Sequence, residues 1–455
     1  MRNDQGASGV PRHIQILYGV GVSYAIVDQI FAQWVLYYYL PPAASTLRPL
    51  LPPVLIAVAL MVSRLVDMVA DPLFGYLSDR TRSRWGRRIP FLAVGAVPLA
   101  LATVAFFFPP VAANSAIPTF LYLMVVGSLF FLFYTIVGAP YNALIPEISQ
   151  TRRDRLNLST WQSVFRLAYT ALAMILPGVL IAVLGRGDDE LGLRTTMTLM
   201  AGLAAAGILV TVFSVDERKY SGGKESSESF FGTLDRVRRN RSLIFYLLGF
   251  LFFFLGFNTL RASMNYYVQD IMGYGTASIT LASGLLFGCA ALSFYPVNRL
   301  AKRVGYKKPL LGFLAILIVL SLALTTLGRI LPPWSGFAIF LVFGIPIAGT
   351  GFIFPPAMLS EISAAESRRE GVQIEGFFFG LQGFFLKLAF FFSIAVTPLL
   401  LVQSGEVGLL QGLAEMPEDV TPFGIYSTSY LAAASFLLSL LFYTGYREEL
   451  SEDEE

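Results

Sequence analysis

The chain has 455 residues, 55% of them hydrophobic and only 14% charged, with a mean hydropathy of +0.64. A soluble domain carries about 25% charged residues, so there is too little charge here to cover a water-soluble enzyme of this length. The net charge of +3 gives nucleic acid no footing, and one cysteine (Cys289) with one histidine (His13) excludes an intrachain disulfide and a His/Cys metal site.

Apolar stretches recur along the chain, each long enough to cross about 30 Å of hydrocarbon as a helix. Backbone facing lipid has to satisfy its own hydrogen bonds, which selects helices. In chain order the predicted spans are 14–40, 52–79, 89–108, 117–145, 158–184 and 194–214, then 242–271, 277–301, 309–328, 334–361, 372–403 and 424–446. No small-residue cleavage site follows the first stretch, which reads as a retained helix and not a signal peptide. The plan is an N-terminal six-helix bundle over 1–214, a polar linker at 215–241, a C-terminal bundle over 242–446 and an acidic tail at 447–455. In the linker, Phe230, Phe231, Leu234 and Val237 oppose Arg236, Arg238 and Arg239, which fits either a short amphipathic helix at the inner leaflet or a plain charged connection.

Most of the 33 Lys and Arg stand in alternate loops: Arg80, Arg82, Arg84, Arg87 and Arg88, then Arg152, Arg153 and Arg155, the linker, Arg299 to Lys308, and Arg368 and Arg369. The opposite loops hold Arg48, Arg186, Arg194 and Arg329. The positive-inside rule then puts both termini in the cytoplasm of a multi-pass protein of the cell (inner) membrane. The basic turns Leu77–Arg88 and Leu300–Lys308 each follow the second helix of their half, and in each a Gly precedes two cations. Such a repeat fits the parallel two-bundle plan of secondary transporters.

A charge at mid-bilayer costs at least ~2.5–3.5 kcal/mol and calls for a reason. In the second span, offsets of three and four put Arg64, Asp67 and Asp71 on one helical face. Two carboxylates and one guanidinium leave one negative charge, which suits a bound monovalent cation or a proton, and carboxylate oxygens are the ligands hard cations prefer. The alternative is a structural Arg64–Asp67 pair, with Asp71 capping backbone freed near Pro72. Lys387, deep in the eleventh span, calls for an acidic partner, for which Asp67 or Asp71 is the natural choice. Candidates to line a substrate cavity are Asp28, Gln29 and Gln33 of the first span and Tyr141 and Asn142 of the fourth, where Pro140 breaks the hydrogen-bond ladder. Gln162 and Arg166 of the fifth span and Asn258 and Arg261 of the seventh join them. Interhelical hydrogen bonding would account for Asp28, Gln29 and Gln33 equally, and local pairing or snorkelling for Arg166 and Arg261. Glu147, Glu361 and Glu375 stand near cytoplasmic ends and are read as gate residues. The Phe runs at 106–108, 252–254, 377–379 and 390–392 are read as packing or lipid-facing, and no nucleophile–base set suggests an enzyme.

The run Arg64-Leu-Val-Asp67…Asp71-Pro72-Leu-Phe-Gly75-Tyr-Leu-Ser-Asp79-Arg80…Trp85-Gly86-Arg87-Arg88 closely resembles the second helix and following loop of the glycoside–pentoside–hexuronide:cation symporters, a family of the major facilitator superfamily. Ala139-Pro-Tyr-Asn-Ala-Leu-Ile-Pro-Glu147, Arg369-Glu-Gly371 and Gly380…Lys387 are similar to that family's fourth helix, the loop before its helix 11, and helix 11. The resemblance implies an all-α membrane protein of twelve transmembrane helices in two six-helix bundles, working by alternating access. It implies a coupling-cation site at Asp67 and Asp71, with Lys387 nearby, and a cytoplasmic-gate network that includes Asp79, Arg80, Arg87 and Arg88. The chain departs from the family's melibiose permease where that protein binds its sugar. An acid of helix 4 is replaced by Gly138, a helix-1 Lys-Asp pair falls at Ala25-Ile26, and a helix-5 arginine falls near Ser163, with Arg166 one turn on. The same half-match is found in the family's sodium-dependent lysophospholipid symporters. The expected function is cation-coupled symport, with Na+ or H+ as the coupling ion and no cofactor. The expected substrate is a sugar or glycoside, alternatively a lysophospholipid or other amphiphile. A reading from another class is a non-transporting membrane sensor or assembly factor. The expected partners are that small molecule and membrane lipid, not nucleic acid, and the expected working unit is a monomer.

Overall fold

A computed structural model describes residues 10–81, 83–110, 115–149, 152–220, 240–370, 375–403 and 420–446. Among them the regular structure is helical, without strands. The first half holds α1 (Arg12–Tyr39), α2 (Pro53–Arg80), α3 (Ile89–Ala105), α4 (Ile117–Ile148), α5 (Arg152–Gly185) and α6 (Asp189–Ser214), followed by a single turn, Glu217–Tyr220. The second half holds α7 (Arg241–Ile271), α8 (Ala277–Val304), α9 (Lys307–Leu324), α10 (Ser335–Ile347, continuing through Ala348–Ile353 into Phe354–Glu370), α11 (Glu375–Leu401) and α12 (Pro422–Gly445). Among the described residues, eleven helices are long and apolar enough to cross a membrane; α3, with 17 residues, is shorter.

Local chemistry sets the helix starts. The Asp188 carboxylate accepts from the backbone N–H of Glu190 and Leu191, Asn240 accepts from Leu243 N–H, and Thr421 accepts from Gly424 N–H, capping α6, α7 and α12. Proline at the first turn serves α2, α3, α4 and α12, where its missing N–H costs nothing. The helices outrun the apolar stretches at charged ends. α5 begins at Arg152 and not at 158, α6 at Asp189 and not at 194, and α10 continues to Glu370. Hydropathy stops at the first charge, whereas the backbone ladder does not. Pro140 has no N–H to give the ladder, yet α4 runs on through it as one continuous helix. The ladder changes instead at three π-helical segments, Phe31–Val35 in α1, Tyr267–Ile271 in α7 and Ala348–Ile353 in α10.

The chain divides into two compact units, one built on α1–α6 and the other on α7–α12, with loop residues Leu40–Ser45 grouped with the second. In that loop, the N–H groups of Ala43 and Ala44 donate to the Asp270 carboxylate at 3.1 and 2.9 Å. In the first unit α1 packs on α5 and α6, α2 on α4, α3 on α4 and α6, and α5 on α6. In the second unit α7 packs on α11 and α12, α8 on α10, α9 on α10 and α12, and α11 on α12. Each pair in one unit has its counterpart six helices later in the other.

Both units also join their third helix to their sixth with a charge. In the first, buried Glu217, just past α6, accepts from three successive N–H groups leading into α3: Arg87 at 2.9 Å, Arg88 at 2.8 Å and Ile89 at 3.2 Å. These are orphan donors at a helix N-terminus, where a carboxylate is favoured. Gly86 has φ +107°, and a Cβ there would stand 2.2 Å from Glu217 Oε2, so only glycine fits. The Arg87 side chain reaches Glu147 at the end of α4 at 2.6 Å, and Arg88 lies 3.6 Å from the same carboxylate. In the second unit the polarity is reversed. Lys307 at the start of α9 donates to the carbonyls of Thr444, at 2.9 Å, and Tyr446, at the end of α12.

Glu217→Ala is expected to lower the thermal midpoint of the detergent-purified protein by several degrees, with Glu217→Gln between it and the native chain. Charge-assisted hydrogen bonds are worth roughly 1.5–3 kcal/mol each. An unchanged midpoint in a scanning-fluorescence melt would show that the clamp on α3 adds nothing.

Candidate functional site

The packing of α2 on α4 buries a charged group more deeply than any other among the described residues. A Cβ on Gly127 would stand 2.3 Å from Ser63 Oγ, so the two helices approach closely there. One turn on, Asp67 is wholly buried and Arg64 is 3% exposed. Arg64 Nη1 donates to Asp67 Oδ2 at 2.8 Å, and Thr135 Oγ1 of α4 donates to Asp67 Oδ1 at 2.8 Å. The guanidinium also lies over the rings of Phe131, at 4.2 Å, and Phe31, at 5.8 Å. Arg64 and Asp67 therefore form a buried ion pair, held by a hydroxyl from the next helix. Asp71 is one turn further along α2. Its side chain, like those of Asp79, Arg80 and Glu375, lies outside the described residues.

A second polar group joins α1, α4 and α5. Gln162 and Arg166, four residues apart, share a face of α5. Arg166 Nη2 donates to the Tyr24 hydroxyl at 2.9 Å, with the guanidinium 5.6 Å from the centre of the Tyr24 ring. Gln162 Nε2 donates to Asn142 Oδ1 at 2.7 Å, and Asn142 Nδ2 donates to Gly138 O at 2.9 Å. Asp28 is near enough for its charge to act on Arg166, and it accepts a 3.4 Å contact from Gln29 Nε2. Asn142 and Arg166 are exposed side chains. A Cβ on Gly138 would meet only Tyr24, at 3.7 Å, so the wall there is open. The structure thus gathers Asp28, Asn142, Gln162 and Arg166 around Tyr24.

Other expected residues are placed differently. Tyr141, expected in a cavity, is fully buried and stacks on Tyr18 with ring centres 4.7 Å apart. The two hydroxyls donate to each other's backbone carbonyls. It is a packing residue between α1 and α4. Gln29 and Gln33 are likewise buried. In the second unit Asn258 and Arg261 share a buried face of α7, with the Arg261 guanidinium over Phe257 at 5.9 Å and Phe390 at 5.3 Å. Lys387 is half-buried on α11, one turn before Phe390, and Glu361 is half-buried on α10. Of the expected gate residues, Arg87, Arg88 and Glu147 come together. Thr135, Tyr24 and Glu217 were not singled out from the sequence. Only Tyr24 carried a local signal, standing four residues before Asp28. No cluster of three or more His, Cys, Asp or Glu side chains is present among the described residues.

The model of the family described as MFS/sugar transport protein matches residues 17–447. A putative glycoside/cation symporter of Escherichia coli (strain K12) is 28% identical over 338 residues, which cover 72% of this chain and 70% of that protein. The isoprimeverose transporter of Lactiplantibacillus pentosus is 24% identical, with 76% and 72% covered. Among solved structures, that of a D-xylose-proton symporter shares the fold, with a TM-score of 0.65 at 14% identity over 96% of this chain and 97% of that one. The all-helical architecture is that of the major facilitator superfamily, and the proteins compared are transporters, not enzymes. The chain is thus a multi-pass membrane protein that belongs to the glycoside–pentoside–hexuronide:cation symporter family.

Proposed function

We propose that the protein is a Na+-coupled sugar or glycoside symporter of the cell membrane that works as a monomer by alternating access. In this reading twelve helices span the membrane as two six-helix bundles, over 1–214 and 242–446, with both termini cytoplasmic. The observation that carries it is the Asp67 site. Arg64 already balances one carboxylate, so Asp71, a second intramembrane acid one turn away, calls for a further positive charge. The Thr135 hydroxyl beside Asp67 adds a neutral oxygen to two carboxylates. That ligand set suits a hard metal ion and favours Na+ over a proton. Arg64 and Lys387 act as charge partners of the site.

Substrate is assigned to the α1–α4–α5 group. An acid, a guanidinium, two amides and a phenol supply the mixed donors and acceptors that sugar hydroxyls require, whereas an acyl chain would leave them unsatisfied. The names of the relatives, a glycoside/cation symporter and an isoprimeverose transporter, support the same class. Arg87, Arg88 and Glu147 belong to the cytoplasmic gate. Cation binding favours the substrate-ready state, and by linkage substrate raises cation affinity by the same factor.

Asp71→Asn is expected to leave a folded protein that has lost cation-stimulated uptake. Undiminished Na+-driven accumulation in proteoliposomes would remove Asp71 from the coupling site. Arg166→Gln is expected to weaken sugar binding about 10- to 100-fold, the loss of one charged hydrogen bond, while Na+ affinity without sugar stays within a few-fold. Calorimetric titration with each ligand alone separates the two, and an unaltered sugar affinity would take Arg166 out of the substrate site.

A further inference from the structure

Between Asp270 and Glu361, through the whole of α8 and α9, the chain has six Lys and Arg and no Asp or Glu. Five of the six gather where α8 ends and α9 begins: Arg299, Lys302, Arg303, Lys307 and Lys308. Lys307 has a structural task, donating to carbonyls at the end of α12. No hydrogen bond or ion pair joins Arg299, Lys302, Arg303 or Lys308 to another described residue, and all four are exposed. The matching turn of the first unit is built otherwise, since Arg87 and Arg88 there meet Glu147. Cations four apart on one helix, as Arg299 and Arg303 are, repel each other. An anion held against them relieves that repulsion, and no described carboxylate does so.

The same side of α8 is apolar further into the membrane. Offsets of three, four and seven place Leu281, Gly288, Leu292, Tyr295, Arg299 and Arg303 in one stripe. Leu292 is 82% and Tyr295 74% exposed, and a Cβ on Gly288 would meet nothing within 4 Å. The other side, with Leu286, Ala290 and Val297, is buried, and α8 packs on α10. The 28 residues of α8 measure about 42 Å, against about 30 Å of hydrocarbon and 40–45 Å with headgroups. Its last turn, with Lys302 and Arg303, therefore stands among headgroups, and the Arg299 stem extends toward them. Tyr295 lies between the apolar and basic parts, as tyrosines at a membrane boundary do.

We propose that this stripe of α8 is a binding site for an anionic phospholipid of the bilayer. The phosphodiester takes donors from Arg299, Lys302 and Arg303, and an acyl chain lies along Leu292 and over the open backbone at Gly288. A zwitterionic lipid carries a cation of its own, which the basic cluster repels, so the site selects phosphatidylglycerol over phosphatidylcholine. A soluble phosphate would use the cations alone and leave the apolar part uncovered. The site depends on neither the substrate nor the coupling ion.

The test is native mass spectrometry of the detergent-purified full-length protein, titrated with phosphatidylglycerol or phosphatidylcholine of identical acyl chains. A Lys or Arg at a membrane surface is worth roughly fivefold in binding to anionic lipid, so three predict a preference of about 10- to 100-fold for phosphatidylglycerol. Arg299→Gln, Lys302→Gln and Arg303→Gln together are expected to abolish that preference and leave the thermal midpoint unchanged, because no internal contact is lost. Arg299→Lys with Arg303→Lys should retain it. If the triple variant does not fold, Arg299→Gln alone is read the same way, with a fall of about fivefold. A native chain that binds both lipids equally would overturn the assignment. So would an equal fall on neutralising Arg152, Arg153 and Arg155 instead, which would mark diffuse surface charge. Loss of the preference in millimolar inorganic phosphate would make this a soluble-anion site and overturn the lipid. A preference that emerges only when Glu448, Glu449, Glu452, Asp453, Glu454 and Glu455 are changed to amides would give the cluster to the acidic tail and overturn it too.

Discussion

A polar group inside a membrane span has to find its partner within the protein. In the first unit this constraint ties helices together. Asp67 takes Arg64 from its own helix and Thr135 from α4. Thr211 of α6 donates to Leu17 O, and Ser23 of α1 donates to Ala204 O, so each of the two helices satisfies the other. The second unit follows the same rule where Ser439 of α12 donates to Gly249 O of α7. Such hydroxyls hold helices where lipid provides no hydrophobic drive for association.

The sites differ in how charge is balanced. At Asp67 the Arg64 guanidinium and the Thr135 hydroxyl already satisfy the carboxylate, so that group is neutral as it stands, and Asp71, one turn further along α2, adds an acid that the pair does not balance. Around Tyr24, by contrast, the Arg166 guanidinium donates to a neutral phenol, with the opposite charge of Asp28 near enough to act on it. The first arrangement suits a small ion and the second a molecule with several hydroxyls. Both are assembled on the same scaffold, with α4 contributing to each.

Much of this was legible in the sequence, for identifiable reasons. Hydrophobic runs give spans, because the bilayer imposes one length, and the offset of three between Arg64 and Asp67 gives their pairing, because both residues ride one helix. What escaped was whatever depends on a second helix. Thr135 looks like any threonine until α4 packs on α2, and Glu217 looks like linker charge until it meets the start of α3. Tyr141 failed for the complementary reason: a polar aromatic beside a proline suggests a lumen, yet its partner Tyr18 lies on another helix and turns it inward. Proline is an uneven guide: α4 runs on through Pro140, whereas of the three π-helical segments only Ala348–Ile353 closely follows a proline, Pro346.

The two charged joints between third and sixth helices carry a consequence for the history of the chain. One half closes the seam with an acid on amide donors, the other with a base on carbonyls. If the halves descend from one ancestor, each settled this seam after they parted, and on different atoms. A hybrid built by exchanging α6 with its exit for α12 with its exit would bring carbonyls where α3 expects a carboxylate. The halves share a blueprint but are no longer spare parts for one another.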